Sequence, residues 1–394
     1  MKNCAVITEY NPFHTGHKYQ LDTLKAKGFD NIFCVMSGSF VQSAMPAFCD
    51  KALRAECAVL GGAGAVIELP TVYATASAQL FAEGGLKIIS GIKNVTHLAM
   101  GGVGNSDDIL RVADIKISHA DKYTCELKSE LERGKSYNAA SAAALTHIYG
   151  ILYPDKPTVA TLFEDPNNIL CIEYISAINK YCANIQPIII ERKGAAYNDV
   201  FTDGEYVSAT AIRMADEDGN LPKMQKYIPF NYDKICESRK HAAADLELYK
   251  KLTLYALKRA SVEEINKLRN CSEGMEYLLK KVSHLNSLDE IVNAVIGKRY
   301  GKKRIFRLFL DLHLGIQKGL TDKVFCTRLL ACKNGFDFSL LPNCVKTSNA
   351  QIKKAANDCP DVQKVLQIDI NATNLYNTLS DIIGDYFNYS VIKV

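Results

Sequence analysis

The chain has no tryptophan, and it has only 11 prolines and 8 histidines among its 394 residues. No apolar run approaches the roughly 18 residues that a membrane-spanning helix needs, so a membrane-spanning class is excluded. The opening MKNCAVITEY does not fit a signal peptide. The 13 cysteines form no CxxC pair, which removes the usual zinc and thioredoxin spacings. We therefore expect a cytoplasmic protein with reduced thiols and no dedicated metal site.

Net charge and length further restrict the class of protein and the number of domains. Lys and Arg number 47 and Asp and Glu number 43, so the formal net charge is only +4. This small excess does not indicate a nucleic-acid-binding protein, and local clusters of charge matter more. A chain of 394 residues is too long for one small core. Two domains are the natural expectation.

Strand and helix signals alternate along the first half of the chain. Short apolar runs bounded by Gly or Pro predict strands at CAVITEY, NIFCVMSG, AVIELP, VTHLAMGG and IQPIIIERKG. Helical patterns separate the first four, one of them with a weak point at Gly84 and Gly85. This order predicts a parallel, Rossmann-like α/β sheet that binds ligands at the carboxyl ends of its strands.

The pattern changes near Lys226 to Lys234, where strand signals become rare and helical patterns dominate. We therefore predict an α/β domain over residues 1–228 and a mainly α-helical domain over residues 229–394.

The stretch TEYNPFHTGHKYQL places His14 and His17 three residues apart, between a predicted strand and a predicted helix. The unpaired N–H groups of a helix start attract phosphate, and two imidazoles there can donate hydrogen bonds to phosphoryl oxygens. Gly16 would let a ligand ring approach the backbone. The alternatives are surface polarity and half of a metal site, although no third ligand with suitable spacing is evident.

A second candidate phosphate site is VSATAIR, with Ser208, Thr210 and Arg213. The alternative is a helix N-cap followed by a first-turn arginine.

A third candidate is the basic run KRYGKKRIFR, in which Tyr300 and Phe306 interrupt six positive charges. Cations interleaved with aromatic rings fit contact with an RNA backbone and its bases. The alternative is a solvated helix face. The six basic residues are Lys298, Arg299, Lys302, Lys303, Arg304 and Arg307.

These motifs together resemble known proteins. NPFHTGH is similar to the HxGH signature of nucleotidyltransferases, and the lack of a KMSKS-like sequence argues against a class I aminoacyl-tRNA synthetase. Five segments in order resemble the tRNA(Met) cytidine acetate ligase family: TEYNPFHTGH, VMSGSFVQ, VIELPTVYATASAQLFAEGG, PNNIL and GKRYGKKRIFRLFL. The resemblance implies a nucleotidyltransferase domain followed by a helical tRNA-binding domain. It also implies that acetate and ATP, with Mg²⁺, give acetyl-adenylate, whose acetyl group passes to N4 of the wobble cytidine of elongator tRNA(Met).

The resemblance also implies residue roles, with His14 and His17 as the catalytic pair. The expected ATP-binding residues are Ile7, Thr8, Glu9, Tyr10, Asn11, Pro12, Phe13, His14, Thr15, Gly16, His17, Lys18, Tyr19, Gln20, Gly101, Asn167, Arg192 and Lys193. Asn168 fits the nucleotide role less well than Asn167.

The chain departs from the family pattern in three places. QSAMPA (42–47) replaces a motif like QRGEPA, Gly64 replaces an aspartate, and Gly102 and Val103 follow Gly101 in place of a small residue and an acid. Two other functions therefore stay open: a small-molecule adenylyltransferase, which shares the HxGH and SATAIR elements, and a tRNA-binding relative without catalysis. The sequence does not predict the oligomeric state or the acyl-donor selectivity.

Overall fold

Five strands from the first half of the chain form a parallel sheet, as predicted. The computed structural model describes residues 2–192, 206–272, 274–297 and 300–394. The strands are β1 (Asn3–Thr8), β2 (Asn31–Ser37), β3 (Ala65–Leu69), β4 (Val95–Gly102) and β5 (Gln186–Glu191). Their spatial order is β5-β4-β1-β2-β3, and all four neighbouring pairs are parallel.

The strand order reverses direction beside β1, and this reversal positions the site. From β1 the chain goes to β2 on one side, whereas β4 pairs with β1 on the other side, with Val6 opposite Ala99. Open α/β sheets form a crevice at such a switch point, beyond the carboxyl ends of the strands. The HxGH segment follows β1 directly and therefore lies at this crevice.

Helices connect and cover the parallel strands. They are α1 (Thr15–Ala26), α2 (Lys51–Leu60), α3 (Thr71–Ala74), α4 (Ala78–Ile89), α5 (Ser106–Ser118), α6 (Ala120–Glu132), α7 (Tyr137–Leu152), α8 (Pro166–Tyr181) and α9 (Ala209–Glu217), with 3₁₀ helices at Ala160–Glu164 and Leu221–Tyr227. The side chains of β1 alternate between two apolar clusters, Ala5 and Ile7 in one and Cys4 and Val6 in the other. Both faces of the sheet are thus buried, as continuous apolar strands require.

The expected weak point in α4 is wrong, because the helix runs unbroken through Gly84 and Gly85. A Cβ at Gly84 would overlap the ring of Tyr73, and one at Gly85 would overlap the side chain of Ile7. The two glycines allow α4 to pack closely on its neighbours, which offsets their poor helix propensity.

The region after residue 228 is mainly helical, as predicted. Its helices are α10 (Tyr232–Ala242), α11 (Leu246–Arg259), α12 (Val262–Asn266), α13 (Met275–Val282), α14 (Leu288–Val295), α15 (Lys302–Leu314), α16 (Asn349–Asp358) and α17 (Pro360–Leu379), with 3₁₀ helices at Leu320–Asp322, Phe338–Leu340 and Tyr386–Asn388.

This region also returns to the sheet, which the sequence reading missed. Strand β6 (Thr327–Cys332) pairs antiparallel with β3, and the two-residue strands β7 (Val345–Lys346) and β8 (Ile392–Lys393) pair with β6. Every residue of β6 is buried. The available signal was a short apolar run, TRLLAC, closed by the turn residues Asn334 and Gly335. The division at residue 228 stays a prediction, with strands of both parts in one sheet.

Among the residues that the structure describes, no helix combines the length and the apolar composition that crossing a membrane would require.

Candidate active site

His14 ends the turn after β1 and is the N-cap of α1. Its side chain is 3% exposed, and its Nδ1 accepts a hydrogen bond from the backbone N–H of Gly16 at 3.1 Å. A Cβ on Gly16 would lie 2.9 Å from the Cε1 of His14. The missing side chain of Gly16 thus makes room for the ring of His14, and an approach of a ligand ring to this backbone stays a prediction.

His17 completes a reciprocal cap with His14. Its Nδ1 accepts a hydrogen bond from the backbone N–H of His14 at 3.3 Å. The two rings stack with centroids 3.7 Å apart and planes 31° apart. The residues thus lie together at the start of α1, where backbone N–H groups and the helix dipole favour an anion.

Both histidines are neutral near physiological pH. Burial lowers the pKa of His14 to about 3, and the positive charges of Arg192 and Arg213 lower it further. Burial also lowers the pKa of His17 well below its usual range, with His14 and Arg192 contributing. In a neutral imidazole whose Nδ1 accepts a hydrogen bond, the proton is on Nε2. Each ring therefore presents one Nε2–H donor.

Arg213 joins the second predicted motif to the first. Its Nη1 donates to the backbone O of Asn11 at 2.6 Å, and its Nη2 donates to Oγ1 of Thr210 at 3.0 Å. Ser208 is the N-cap of α9, and its hydroxyl accepts from the N–H of Ala211. The capping interpretation thus holds for Ser208, whereas Arg213 contacts the HxGH turn and Thr210 accepts a hydrogen bond from Arg213.

Gly101, Asn167 and Arg192 lie together beside this turn. The Cγ of Arg192 would be 3.2 Å from a Cβ on Gly101, and its Nη1 donates to Oδ1 of Asn167 at 3.5 Å. Asn168 is 2% exposed, and it bonds to the backbone N–H and O of Val103. The prediction that Asn167, rather than Asn168, contacts a nucleotide stays a prediction.

Some residues of the predicted ATP-binding segment point elsewhere. The side chain of Ile7 is in the core against α4, which leaves only its backbone for a ligand. Lys18 pairs with Asp22 along the exposed face of α1 at 2.5 Å. Tyr19 packs edge-on against Tyr206, with ring centroids 5.7 Å apart. Lys193 lies outside the described residues.

Arg54 is a site residue that the sequence reading missed. It is 1% exposed, and it donates to backbone oxygens of Glu9, Ser37, Gly38 and Cys49. This one side chain ties together the segments that follow β1 and β2. Its signal was an arginine among the mostly apolar residues of LRAECAVL, where Glu56 is the other charged residue.

The divergent loop QSAMPA lies beside this arginine. The backbone N–H of Gln42 donates to Oε1 of Glu9 at 2.7 Å. Ala44 is fully buried with φ at +64°, a conformation that glycine adopts without strain. At the position where the resemblance implies a glycine, the chain thus has an alanine with a left-handed backbone.

Helix α15 lies next to the same loop. Arg307 donates from Nε to the backbone O of Gln42 at 3.3 Å. Arg304 donates to the backbone O of Asn270 and to Ser272, so its guanidinium is also engaged within the protein. Lys302 and Lys303 are exposed. Of the six predicted RNA contacts, two therefore face solvent, two serve the fold, and Lys298 and Arg299 lie outside the described residues.

Within the described ranges, no three His, Cys, Asp or Glu side chains come together as a metal-binding group.

Comparison with known proteins first identifies the class of enzyme to which the chain is similar. The sequence model of the family described as HIGH Nucleotidyl Transferase matches residues 1–385. This agrees with the HxGH turn at the switch point of a parallel sheet.

Individual relatives identify one family within this class. A tRNA(Met) cytidine acetate ligase of Clostridium perfringens is 31% identical, with 100% of this chain and 99% of the relative covered. The ligase of the same name from Caldanaerobacter subterraneus subsp. tengcongensis is 33% identical, with 81% of this chain and 80% of the relative covered. This chain belongs to the tRNA(Met) cytidine acetate ligase family of HIGH nucleotidyltransferases.

Solved structures agree with this assignment. Thermotoga maritima TmcAL bound with alpha-thio ATP superposes with a TM-score of 0.87 at 25% identity, and the apo form of the same protein with 0.89 at 26%. Each comparison covers 100% of both chains. The resemblance seen in the sequence is thereby confirmed, as is the α/β fold with a helical part.

Proposed function

We propose that this protein activates acetate with ATP and transfers the acetyl group to N4 of the wobble cytidine of elongator tRNA(Met). The observation that carries the proposal is the neutral pair His14 and His17 at the start of α1, with Arg192 and Arg213 beside it. The names of the relatives, and the ATP analogue named with TmcAL, support the same reaction.

In the first step, acetate attacks the α-phosphorus of ATP and pyrophosphate leaves. The Nε2–H groups of His14 and His17 donate to phosphoryl oxygens as negative charge builds. Because both rings are neutral, they stabilise this charge without having to lose a proton. Arg192 and Asn167 form the ribose and phosphate side of the site, and Arg213 holds the HxGH turn in place.

Magnesium would enter with the nucleotide. The phosphate oxygens of ATP would hold it together with water. Its contribution would be to neutralise charge on the departing pyrophosphate.

In the second step, the cytidine amine attacks the acyl carbon of acetyl-adenylate. Single-stranded loops suit this reaction, because their bases can turn outward into a pocket. The start of α15 supports the binding of such a loop, since its first turn has no acidic residue and exposes Lys302 and Lys303. A helix start with two lysines attracts a phosphate backbone.

The test is to incubate elongator tRNA(Met) with ATP, labelled acetate and the protein, and to measure the mass of the anticodon nucleosides. We expect acetate-dependent exchange of pyrophosphate into ATP without tRNA, and a gain of one acetyl group on cytidine with tRNA. Exchange with no acetylation of tRNA would favour a small-molecule adenylyltransferase. Binding of tRNA with neither activity would favour the non-catalytic alternative.

A further inference from the structure

Glu9 lies at the carboxyl end of β1, immediately before the HxGH turn. Its Oε1 accepts the hydrogen bond from Gln42, but no donor among the described residues reaches its Oε2. The side chain is only partly buried. One carboxylate oxygen is therefore fixed in the fold and the other is available.

Glu9 is linked both to the nucleotide end of the site, at the HxGH turn, and to the other end, at α15. Arg213 acts electrostatically on both Glu9 and His14, so it connects Glu9 to the nucleotide end. Lys303 of α15 acts on Glu9 from the other end, and Arg307 of the same helix bonds to Gln42, the residue that holds Glu9. An RNA strand on α15 would thus approach acetyl-adenylate past Glu9.

Neither His14 nor His17 has a nitrogen free to accept a proton in the transfer step. The Nδ1 of His14 and the Nδ1 of His17 each accept a backbone N–H, and their Nε2 atoms carry protons. A group that takes up a proton during acetyl transfer must come from elsewhere.

On the basis of the proposed function, we propose that Glu9 is the general base of the transfer step. The N4 amine attacks the carbonyl carbon of acetyl-adenylate, and the new C–N bond forms as the C–O bond to the phosphate breaks. AMP leaves with the electron pair of that bond. The proton that the nitrogen must lose passes to Oε2 of Glu9 and from there to solvent.

The surroundings of Glu9 make its carboxylate a stronger base than that of an ordinary glutamate. Burial raises the pKa of Glu9, and the Gln42 N–H, Arg213, Arg54 and Lys303 partly offset that rise. From α8, Tyr174 faces it, and the charge of Glu9 contributes to the raised pKa of that phenol.

The test separates the two half-reactions in a Glu9→Gln variant. Glutamine has a side-chain oxygen that can accept the same hydrogen bond from the backbone N–H of Gln42, so the contact with the loop QSAMPA is kept. We expect the single-turnover rate of acetyl transfer at saturating tRNA to fall by about 10²-fold or more. Pyrophosphate exchange, measured without tRNA, should fall by a smaller factor than transfer, since Glu9 is also among the predicted ATP-binding residues. Glu126→Gln, which removes a carboxyl on the distant α6, is the matched control.

The pH profile gives a readout that a merely structural role would not change. Transfer by the unaltered protein should rise with pH as Glu9 loses its proton, and this limb should be absent in Glu9→Gln. A Lys303→Gln variant at saturating tRNA should move the limb to higher pH, because it removes a charge that favours the carboxylate.

Three results would overturn the role of Glu9 while leaving the proposed function intact: wild-type transfer by the variant, an equal loss in both half-reactions, or a pH limb that persists. If the unaltered protein shows neither exchange nor transfer, the proposed function fails, and the role of Glu9 fails with it.

Discussion

The two ends of the cleft differ in how they use polar groups. At the nucleotide end, His14 and His17 are buried, neutral and fixed by backbone hydrogen bonds. At the α15 end, Lys302 and Lys303 are exposed at the surface. Buried donors act at short range and depend on geometry, whereas exposed lysines supply attraction that salt screens. Under the proposed function, the difference means that one end would provide chemistry and the other affinity.

The largest effect should come from the nucleotide end. We expect a His14→Ala, His17→Ala variant to lose pyrophosphate exchange by about 10³-fold, because two fixed donors to the phosphoryl group disappear. Exposed His147, replaced by alanine, is the matched control. Exchange by the double variant at the control rate would contradict the assignment of the pair.

The same histidines should affect acid stability. The folded pKa of His14, about 3, lies below its unfolded value near 6.5, so between these two pH values the unfolded chain binds more protons. Stability should therefore decline as the pH falls from 6.5 toward 3. A His14→Gln, His17→Gln variant should show a shallower decline in denaturant unfolding.

An intermediate effect should come from the α15 end. We expect Lys302→Glu with Lys303→Glu to weaken tRNA binding by about 10- to 100-fold, and to reduce the slope of log affinity against log salt by about 1.5. Lys258→Glu with Lys281→Glu provides a matched change of charge on α11 and α13. Equal losses in the two variants would mean that the α15 lysines have no special role.

The smallest expected effect concerns Arg304, a residue of the basic run that bonds within the protein. Arg304 bonds to Asn270 and Ser272 and lies 5.7 Å from the ring centroid of Tyr300. Replacing it by glutamine should lower the free energy of unfolding by about 1 kcal/mol. Its tRNA affinity should fall less than that of the lysine variant. A larger loss of affinity than in that variant would reverse the comparison of exposed and engaged cations.

The parallel half of the fold could be predicted because its signals are local. Each strand from β1 to β5 is a short apolar run, and each run alternates with a helical pattern or a turn signal. Strand β6 is also a short apolar run, but its place in the sheet has no local signal, because its partners in β3, such as Val66 opposite Ala331, are far away along the chain.

Site residues that belong to sequence motifs could be predicted, whereas a site residue that depends only on packing was missed. His14, His17 and Arg213 come from quoted motifs, and the structure brings them together. Arg54 lies in a helix with no special spacing, and only the fold shows that its guanidinium holds the segments after β1 and β2. Likewise, the six charges of the basic run look alike in sequence, and only hydrogen bonding separates Arg304 from Lys302.

Strand β6 has a consequence for how the protein can be divided. The helices α10 to α15 leave the sheet region after residue 228 and return to it at Thr327, so this segment is anchored at both ends. A fragment cut at residue 228 would lose β6 and leave the edge of β3 opposite β2 without a partner strand. Unprotected strand edges promote association between chains. The separated first half would therefore be prone to aggregate, and both halves are best studied in one chain.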